Sequence, residues 1–421
     1  MCPNPRSDPA GRRVVVIGAG QAGVQVADAL RQSGHVGPMA LVGDEPVLPY
    51  QRPPLSKEYL SPAGTRTAPH LRAQQYFADH RIDLYIGVTA ATVELRSRAV
   101  RLSDGRELPY DVLVLATGAA NRTLAVPGAD LAGIHTLRTL ADAETLRSAL
   151  PDSRAVLVVG AGFIGLEFAA AAREHGLRAT VIEAADRPLG RALSPEMAGH
   201  IAAAHQKAGT DLRLGEAVAR FTGDGGRVNG AISTKGARYP ADLVLVGIGV
   251  VPRVELAVQA GLPVADGIVV DEYLRTADSA VYAVGDCANH PNVHAGVRMR
   301  VESVQNATDQ ARHAASMILG GTDTYADLPW FWSHQGELKL QIAGVRRPDD
   351  ESVVTGDPDV GRFSVCCYRR GRLVAVESLN CPADHVAARR VLAAGRSPEP
   401  GQLRDPGFSL KEFARKTVAA R

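Results

Sequence analysis

A glycine-rich turn near the N-terminus is the sequence feature that most limits what this chain can fold into. Residues 13–17 form an apolar, β-branched run that leads directly into the turn Gly18-Ala19-Gly20-Gln21-Ala22-Gly23. Val24, Ala27 and Leu30 then recur at helical spacing. This order of features predicts a strand, a tight turn and a helix, which is an arrangement that binds dinucleotides.

The glycines of this turn have separate predicted roles. Gly18 permits the tight turn, Gly20 lets the backbone approach a pyrophosphate, and Gly23 lets the helix pack against the strand. The first amides of the helix lack partners, so its N-terminus favours negative charge. Asp44, just past the next apolar run, is placed to accept hydrogen bonds from a ribose. Alone, such a triplet is a weak signal, because an ordinary tight turn has the same pattern.

The same arrangement occurs a second time, which strengthens the prediction. An apolar run over residues 155–159 leads into Gly160-Ala161-Gly162-Phe163-Ile164-Gly165, and a second strand ends at Glu183. The acid lies about 20 residues beyond the glycines, as the dinucleotide pattern requires. A carboxylate accepts hydrogen bonds from the ribose hydroxyls of NAD and repels the 2′-phosphate of NADP. Glu183 therefore favours NADH over NADPH.

Length and charge exclude several classes of protein. A chain of 421 residues exceeds a single hydrophobic core and suggests about two to four domains. With 47 Lys and Arg against 45 Asp and Glu, the net charge of +2 gives no global electrostatic case for nucleic-acid binding. No apolar run approaches the roughly 20 residues of a membrane-spanning helix, and no signal peptide is recognisable. We expect a cytoplasmic protein that binds neither nucleic acid nor membrane.

The cysteines argue against a metal centre or a disulfide framework. Their number is odd, and no two show CxxC or CxxxxC spacing; they are Cys2, Cys287, Cys366, Cys367 and Cys381. Zinc sites and iron-sulfur clusters need several closely spaced ligands, so we expect no metal. Cys366 and Cys367 are neighbours in an apparent strand, where core packing is the simpler interpretation.

A proline-rich segment follows Asp44 and contains PYQRPPLSK at residues 49–57. Prolines fix the backbone and cannot donate ladder hydrogen bonds, so the segment is predicted to be a stiff loop that opens into a short helical pattern. It carries Arg52 and Lys57 beside the first phosphate site. A clamp on the cofactor and a solvated loop both fit this pattern.

Further candidates lie where apolar strands end. Thr117 and Gly118 close the strand that ends at Leu115, and Gly249 closes the strand over residues 242–249. Asp286 follows another buried strand and could bond a ribityl hydroxyl. A helical pattern then runs from residue 301 to residue 319, and its early amides could face a cofactor carbonyl. Generic strand ends and an ordinary amphipathic core helix would look similar.

The composition changes after residue 325, which marks a last domain. Both tryptophans, Trp330 and Trp332, lie at its start. Alternating strands over residues 339–342, 362–368 and 373–378 follow, and the last two read as a hairpin. A helix over residues 383–393 precedes a polar tail. The pattern predicts a third, mixed α/β domain.

These residues together resemble the FAD-dependent, NADH-using ferredoxin reductases that serve bacterial monooxygenases and ring-hydroxylating dioxygenases. The resemblance covers nearly the whole chain and rests on short motifs in a fixed order: PYQRPPLSK (49–57), ATG (116–118), GFIGLE (162–167), GD (285–286), ESVQNA (302–307) and PWFWSHQ (329–335). It implies an α/β fold of glutathione-reductase-like architecture, with two Rossmann-like domains and the C-terminal mixed α/β domain. The implied domains are FAD-binding over 1–118 and 245–325, NADH-binding over 119–244, and C-terminal over 326–421.

The resemblance also implies a site, residue by residue. FAD contacts would come from Ala22, Asp44, Lys57, Val88, Arg138, Asp286 and Val304. The predicted catalytic residues are Lys57 near the flavin ring, Glu167 paired with Lys57, and Trp332 where electrons leave. The complete predicted cofactor set is Gly18, Gly20, Ala22, Gly23, Asp44, Arg52, Lys57, Val88, Thr117, Gly118, Arg138, Gly160, Gly162, Ile164, Gly165, Glu183, Gly249, Asp286, Val304 and Trp332.

The implied function is transfer of electrons from NADH through FAD, singly, to a small acidic 2Fe-2S ferredoxin, by a monomer or weak homodimer. Alternative functions are a rubredoxin reductase, an NADH oxidase, or an FAD-containing redox-sensing interaction protein. A pyridine nucleotide-disulfide reductase would need a reactive thiol by the flavin, and residues 47–57 contain none. His334 and Cys381 depart from the family pattern, in the domain that borders the partner.

Overall fold

The computed structural model describes residues 8–65, 67–405 and 407–418, without the side chains of Thr417 and Val418. Cys2 lies outside this range. The described chain divides into two compact units. Unit 1 holds the chain up to Gln51 with Pro69–Ala120 and Val251–Pro329, and unit 2 holds Arg52–Ala68, Asn121–Val250 and the chain from Trp330 onward. The four-part domain division given above stays a prediction.

The α-helices of the described chain have the following bounds: α1 (Gln21–Gln32), α2 (Gln74–Asp79), α3 (Leu140–Ala149), α4 (Phe163–Glu174), α5 (Pro195–Lys207), α6 (Glu255–Gln259), α7 (Val304–Ile318), α8 (Pro382–Ala393) and α9 (Leu410–Val418). Short 3-10 helices at Pro53–Ser56 and Gly285–Cys287 matter for the site. None of the helices within the described residues is long and apolar enough to cross a membrane.

The strands have the following bounds: β1 (Val14–Ile17), β2 (Met39–Gly43), β3 (Asp83–Ile86), β4 (Ala90–Glu94), β5 (Ala99–Leu102), β6 (Glu107–Pro109), β7 (Val112–Leu115), β8 (Ala119–Asn121), β9 (Ile134–His135), β10 (Ala155–Val159), β11 (Arg178–Glu183), β12 (Asp211–Leu214), β13 (Val218–Asp224), β14 (Arg227–Ser233), β15 (Arg238–Pro240), β16 (Leu243–Val246), β17 (Val250–Pro252), β18 (Ile268–Val269), β19 (Val281–Ala283), β20 (Ala288–Asn292), β21 (Val297–Met299), β22 (Trp330–Gln335), β23 (Leu338–Gly344), β24 (Glu351–Asp357), β25 (Arg362–Arg369) and β26 (Arg372–Leu379).

Unit 1 is built on a parallel sheet in the order β19-β7-β1-β2-β3. The central strand β1 is fully buried, as its β-branched sequence requires in a sheet covered on both faces. Helices α1 and α7 pack against each other. Strand β2 lies on one side of β1 and strand β7 lies on the other, so the direction of strand addition reverses at β1. Open α/β sheets bind ligands at such a switch point.

Unit 2 repeats this plan in a parallel sheet of order β12-β11-β10-β16-β9. Its central strand β10 is buried along its whole length. Both strand-turn-helix units predicted from the glycine turns are therefore present. An antiparallel sheet of order β13-β14-β15 adds to the same unit.

The C-terminal part of unit 2 is an antiparallel sheet of order β22-β23-β26-β25-β24, on which α8 packs. Cys366 and Cys367 are both buried in β25, which confirms their packing role. The polar tail predicted after residue 393 is wrong in part, because α9 forms there. Most residues of α9 are polar, so its one apolar face, on which Leu410 and Ala414 are buried, was not recognised in the sequence.

The turn signal Ser103-Asp104-Gly105, between the strands expected at residues 99–102 and 111–115, predicts a hairpin of those two strands. The turn at residues 103–105 joins β5 to β6 rather than to the strand that begins near residue 111. Strand β6 has three residues, which is too short for alternation to be visible in the sequence.

Candidate functional site

The first glycine turn has the close contacts that its predicted roles require. A Cβ atom added to Gly18, where φ is +111°, would lie 2.1 Å from Ala116 O, and one added to Gly23 would lie 1.8 Å from Gly18 O. Nothing lies within 4 Å of a Cβ added to Gly20. Gly20 is also the N-cap of α1 and offers no side chain to its amides. The turn therefore leaves open the place where a pyrophosphate would meet the helix N-terminus.

Asp44 lies directly after β2 and forms an ion pair that the sequence pattern did not reveal. Arg253 Nη1 lies 2.6 Å from Asp44 Oδ2, and both side chains are nearly half exposed. The backbone of Arg253 also holds the end of β7, since its amide donates to Gly118 O at 3.0 Å and its carbonyl accepts from Thr117 Oγ1 at 2.6 Å. Arg253 thus joins two loops at the carboxyl edge of the sheet and leaves Asp44 Oδ1 for another donor.

Asp286 lies in the 3-10 turn that follows β19. The buried Gln310 of α7 accepts a hydrogen bond from the Gly285 amide at 2.7 Å, which fixes this turn against α7. A Cβ on Gly285 would lie 3.1 Å from the Ala22 side chain. Val304 is the first residue of α7, behind the N-cap Ser303. The structure therefore brings the predicted residues Ala22, Asp286 and Val304 to one region of unit 1.

The second glycine turn repeats the geometry of the first. A Cβ on Gly160, where φ is +103°, would lie 2.5 Å from Gly247 O, and one on Gly165 would lie 2.1 Å from Gly160 O. Gly162 is the N-cap of α4 and again supplies no side-chain cap. Ile164, on the first turn of α4, is partly exposed. This turn can take a second dinucleotide in the same manner.

Glu183 ends β11 and closes over this second turn. Its Oε2 accepts from the Ala161 amide at 2.7 Å, and its Oε1 accepts from the Ala185 amide at 2.9 Å. A carboxylate oxygen has more than one acceptor position, so Glu183 can still receive ribose hydroxyls. Gly249, with φ of +97°, lies beside Arg191, whose Nη2 would be 3.3 Å from an added Cβ.

Lys57 and Glu167 form a largely buried ion pair within unit 2. Lys57 Nζ lies 2.7 Å from Glu167 Oε2, with side-chain exposures of 14% and 2%. Lys57 ends the 3-10 helix whose first residues are Pro53 and Pro54, and its ammonium also donates to Pro53 O at 3.1 Å. Proline presets the backbone angle of such a turn. The proline-rich segment therefore serves to aim Lys57 at α4.

Two serines complete the surroundings of Glu167, and neither was among the predicted site residues. Ser56 Oγ donates to Glu167 Oε2 at 2.5 Å, and Ser333 Oγ donates to Oε1 at 2.6 Å. Both serines are fully buried. Strand alternation places Ser333 and Gln335 of β22 on the same face. This alternation within the motif PWFWSHQ was the sequence signal that could have identified Ser333 as a site residue.

The remaining predicted residues are distributed over both units. In unit 2, Arg52 Nη1 donates to Arg138 O at 2.6 Å, and the Trp332 ring centroid lies 5.5 Å from that of Trp330. In unit 1, the Val88 amide donates to Gly43 O at 3.1 Å. The structure thus brings Arg52 to Arg138, and the contacts of all these residues with a cofactor stay predictions.

No reactive thiol accompanies these features in the described residues. Cys287 is fully buried, its Sγ donates to Val284 O at 3.3 Å, and burial raises the pKa of its thiol. The four described cysteines are all free thiols. Within the described chain, no group of three or more His, Cys, Asp or Glu side chains could hold a metal ion.

Comparisons with known proteins agree with this geometry. Residues 12–311 match the family described as pyridine nucleotide-disulphide oxidoreductase, and residues 330–414 match the family described as reductase C-terminal. Rhodocoxin reductase of Rhodococcus erythropolis is 50% identical over 398 residues, which are 94% of this chain and 93% of that protein. A ferredoxin-NAD(P)(+) reductase of a Sphingomonas species is 40% identical over 402 residues, with 95% and 97% covered. The solved covalent complex of putidaredoxin reductase with putidaredoxin contains a chain that superposes with a TM-score of 0.93 at 38% identity, with 97% of this chain and 99% of that chain covered.

Proposed function

The chain belongs to the pyridine nucleotide-disulphide oxidoreductase family, and we propose that it passes electrons from NADH through FAD, singly, to a small 2Fe-2S ferredoxin. That ferredoxin would feed a monooxygenase or a ring-hydroxylating dioxygenase. The chain is an oxidoreductase with an α/β fold of two dinucleotide-binding units and a reductase C-terminal domain, and it uses FAD and NAD(P)H. The observation that carries the proposal is the largely buried Lys57–Glu167 pair, together with the absence of cysteine from residues 47–57, which contain Lys57.

We assign FAD to unit 1. FAD, when bound, accepts a hydride and returns its electrons one at a time, which joins a two-electron donor to a one-electron acceptor. The open turn at Gly20 and the free amides of α1 would hold the pyrophosphate. Asp44 would accept a ribose hydroxyl on Oδ1 while Arg253 holds Oδ2. Asp286 and the N-terminus of α7 would hold the ribityl chain and a ring carbonyl.

We assign the nicotinamide nucleotide to the turn at Gly160 in unit 2. The first amides of α4 would hold the pyrophosphate, and Glu183 would accept hydrogen bonds from the ribose hydroxyls. The carboxylate would repel a 2′-phosphate, so NADH is the preferred donor. Two backbone amides hold the carboxylate of Glu183 in place before the nucleotide arrives.

Lys57 would balance the negative charge that builds on the reduced flavin. An ammonium held in a water-poor site stabilises such charge strongly, and Glu167 ensures that neither group is a lone buried charge. Trp332 is proposed as the residue by which electrons leave. Hydride transfer requires little proton work, so Lys57 and Glu167 need not act as acid and base.

We propose a small acidic ferredoxin as the partner, with a cytoplasmic location and a monomeric or weakly dimeric state. The balanced charge of the chain gives no basis for nucleic-acid binding. We also propose FAD-binding domain segments at 1–118 and 245–325, an NADH-binding domain at 119–244 and a C-terminal domain at 326–421.

Anaerobic reduction of the purified protein tests this function. The FAD-loaded protein is mixed with NADH, and acceptors are then offered in parallel: a panel of 2Fe-2S ferredoxins, a rubredoxin, oxygen and a small disulfide. We expect rapid bleaching of the flavin and fastest reoxidation by a ferredoxin. Slow bleaching with retention of NAD would instead indicate a redox-sensing protein, and fastest turnover with rubredoxin, oxygen or the disulfide would overturn the proposed acceptor.

A further inference from the structure

Glu167 is the end point of a chain of buried hydrogen bonds that extends away from Lys57. Ser333 Oγ lies 2.6 Å from Glu167 Oε1, Gln335 Nε2 lies 3.2 Å from Ser333 Oγ, and His205 Nε2 lies 2.9 Å from Gln335 Oε1. None of these four side chains is more than 4% exposed. The chain links α4, β22 and the last turn of α5 within unit 2.

The direction of every bond in this chain follows from its chemistry. The carboxylate of Glu167 can only accept, so the single hydroxyl hydrogen of Ser333 points to it. The Ser333 oxygen then accepts from the amide nitrogen of Gln335, which turns Gln335 Oε1 toward His205. His205 must therefore present Nε2–H. Burial lowers the pKa of His205, which agrees with a neutral ring that donates from one nitrogen.

All donors thus point toward the negative charge. Hydrogen bonds in series polarise one another, so each strengthens the next toward the carboxylate. Oε1 of Glu167 is held by this series, which leaves Oε2 for Lys57 and Ser56. A carboxylate held on one oxygen cannot rotate freely, so the position of the ammonium that pairs with the other oxygen is set as well.

We propose that Gln335 and His205 are positioning residues, which act through Ser333 and Glu167 on Lys57 and so support flavin reduction. This inference rests on the proposed function, because its effect is read on the flavin. The hydrogen bonds described above join Gln335 to His205 and to Ser333, not to Lys57. Their contribution is to hold the hydroxyl of Ser333 in its hydrogen bond to Glu167, so that this hydroxyl does not rotate away.

Flavin reduction by NADH in a stopped-flow instrument tests this proposal, with Gln335→Met and Ser333→Ala as the variants. Methionine has the length of glutamine but cannot form either bond. We expect each variant to reduce its flavin roughly three- to tenfold more slowly at saturating NADH, because each breaks the series of hydrogen bonds that ends at Glu167 Oε1. The matched control is Ser364→Ala, since Ser364 is a buried serine of the same sheet that bonds to Ser378 and not to Glu167.

A double-mutant cycle separates positioning from general loosening of the fold. If Gln335 acts through Lys57, then Gln335→Met slows the wild-type protein but adds nothing in a Lys57→Met background. His205→Leu should reproduce the slow rate, and His205→Gln, which keeps an N–H donor, should restore it. FAD content and thermal unfolding are measured for every variant.

Three outcomes would overturn the inference. The first is an unchanged rate of flavin reduction in Gln335→Met. The second is a Gln335→Met loss of rate that is equal in the wild-type and the Lys57→Met backgrounds. The third is a loss of rate in Ser364→Ala that equals the loss in Gln335→Met. In each case NADH still reduces the wild-type flavin, so the proposed function stands. A wild-type flavin that NADH does not reduce would overturn the proposed function and this inference with it.

Discussion

Lys57 Nζ lies 2.7 Å from Glu167 Oε2, and the carboxylate of Glu167 is almost entirely removed from solvent. Removing one member of such a pair usually leaves a costly buried charge. Here Ser56 and Ser333 still donate to Glu167 when Lys57 is lost. Lys57→Met should therefore fold and bind FAD while its flavin reduction slows by about 100-fold.

Stopped-flow absorbance with excess NADH measures this rate. The control is Lys235→Met, because Lys235 is an exposed lysine of the same unit. A Lys57→Met protein that is reduced as fast as the control would remove the proposed role of Lys57.

Asp44 and Arg253 give a second prediction, on FAD affinity. Their ion pair is nearly half exposed, and pairs of that kind contribute little. Arg253→Met should therefore raise the FAD dissociation constant by at most about fivefold. Asp44→Ala should raise it more, because it also removes the proposed ribose acceptor. Recovery of FAD fluorescence on dilution measures both constants, and a larger effect from Arg253→Met would contradict the role given to Asp44.

Glu183 gives a third prediction, on the choice of nucleotide. The wild-type protein should show a kcat/KM for NADH at least about tenfold above that for NADPH, because the carboxylate repels a 2′-phosphate. Glu183→Gln keeps an acceptor for the Ala161 amide but removes the negative charge. The ratio of kcat/KM with NADH to kcat/KM with NADPH should therefore decrease in this variant. Steady-state turnover with a fixed acceptor measures it. Equal efficiency with both nucleotides in the wild-type protein would refute the role of Glu183.

Glu377 gives a fourth prediction, on stability and pH. This carboxyl is fully buried in β26, where it accepts from the Ser194 amide at 2.8 Å and from Ser194 Oγ at 2.6 Å. Burial raises its pKa from 4.5 to about 7, against the opposing effects of Ser194 and Arg346. Between these pH values the folded state binds more protons than the unfolded state, so the contribution of Glu377 to stability is lost as pH rises toward 7.

Urea unfolding at several pH values tests this sign with Glu377→Gln. The wild-type unfolding free energy minus that of the variant should fall between pH 4.5 and about 7 and level off above. Glu351→Gln, at an exposed residue of β24, is the matched control for the exchange of glutamate for glutamine itself. A Glu377→Gln difference that rises with pH would contradict the assigned shift.

Local patterns predicted the parts of the fold that are close in sequence. Both glycine turns and the strands that lead into them follow from apolar runs and glycine spacing, and the structure confirms them. Helix α9 was missed because its exposed residues, among them Lys411 and Glu412, dominate a short segment. Strand β6 was missed because three residues cannot show a period.

Long-range contacts of the site were beyond such patterns. Lys57 and Glu167 are 110 residues apart, and their pairing was anticipated through the family resemblance rather than from any periodicity. Arg253 lies 209 residues from Asp44, and Ser333 lies 166 residues from Glu167. The local sequence around Arg253 or Ser333 does not indicate which residue it will bond, because that depends on how the sheets and helices pack.

The central claim is that this chain divides the electron pair of NADH between two one-electron acceptors. The most direct measurement is an anaerobic titration of FAD-loaded protein and excess oxidised 2Fe-2S ferredoxin with limiting NADH, followed by absorbance. We predict about two ferredoxins reduced for each NADH consumed, and none when FAD is removed. Consumption of NADH without reduction of any ferredoxin in the panel would contradict the account.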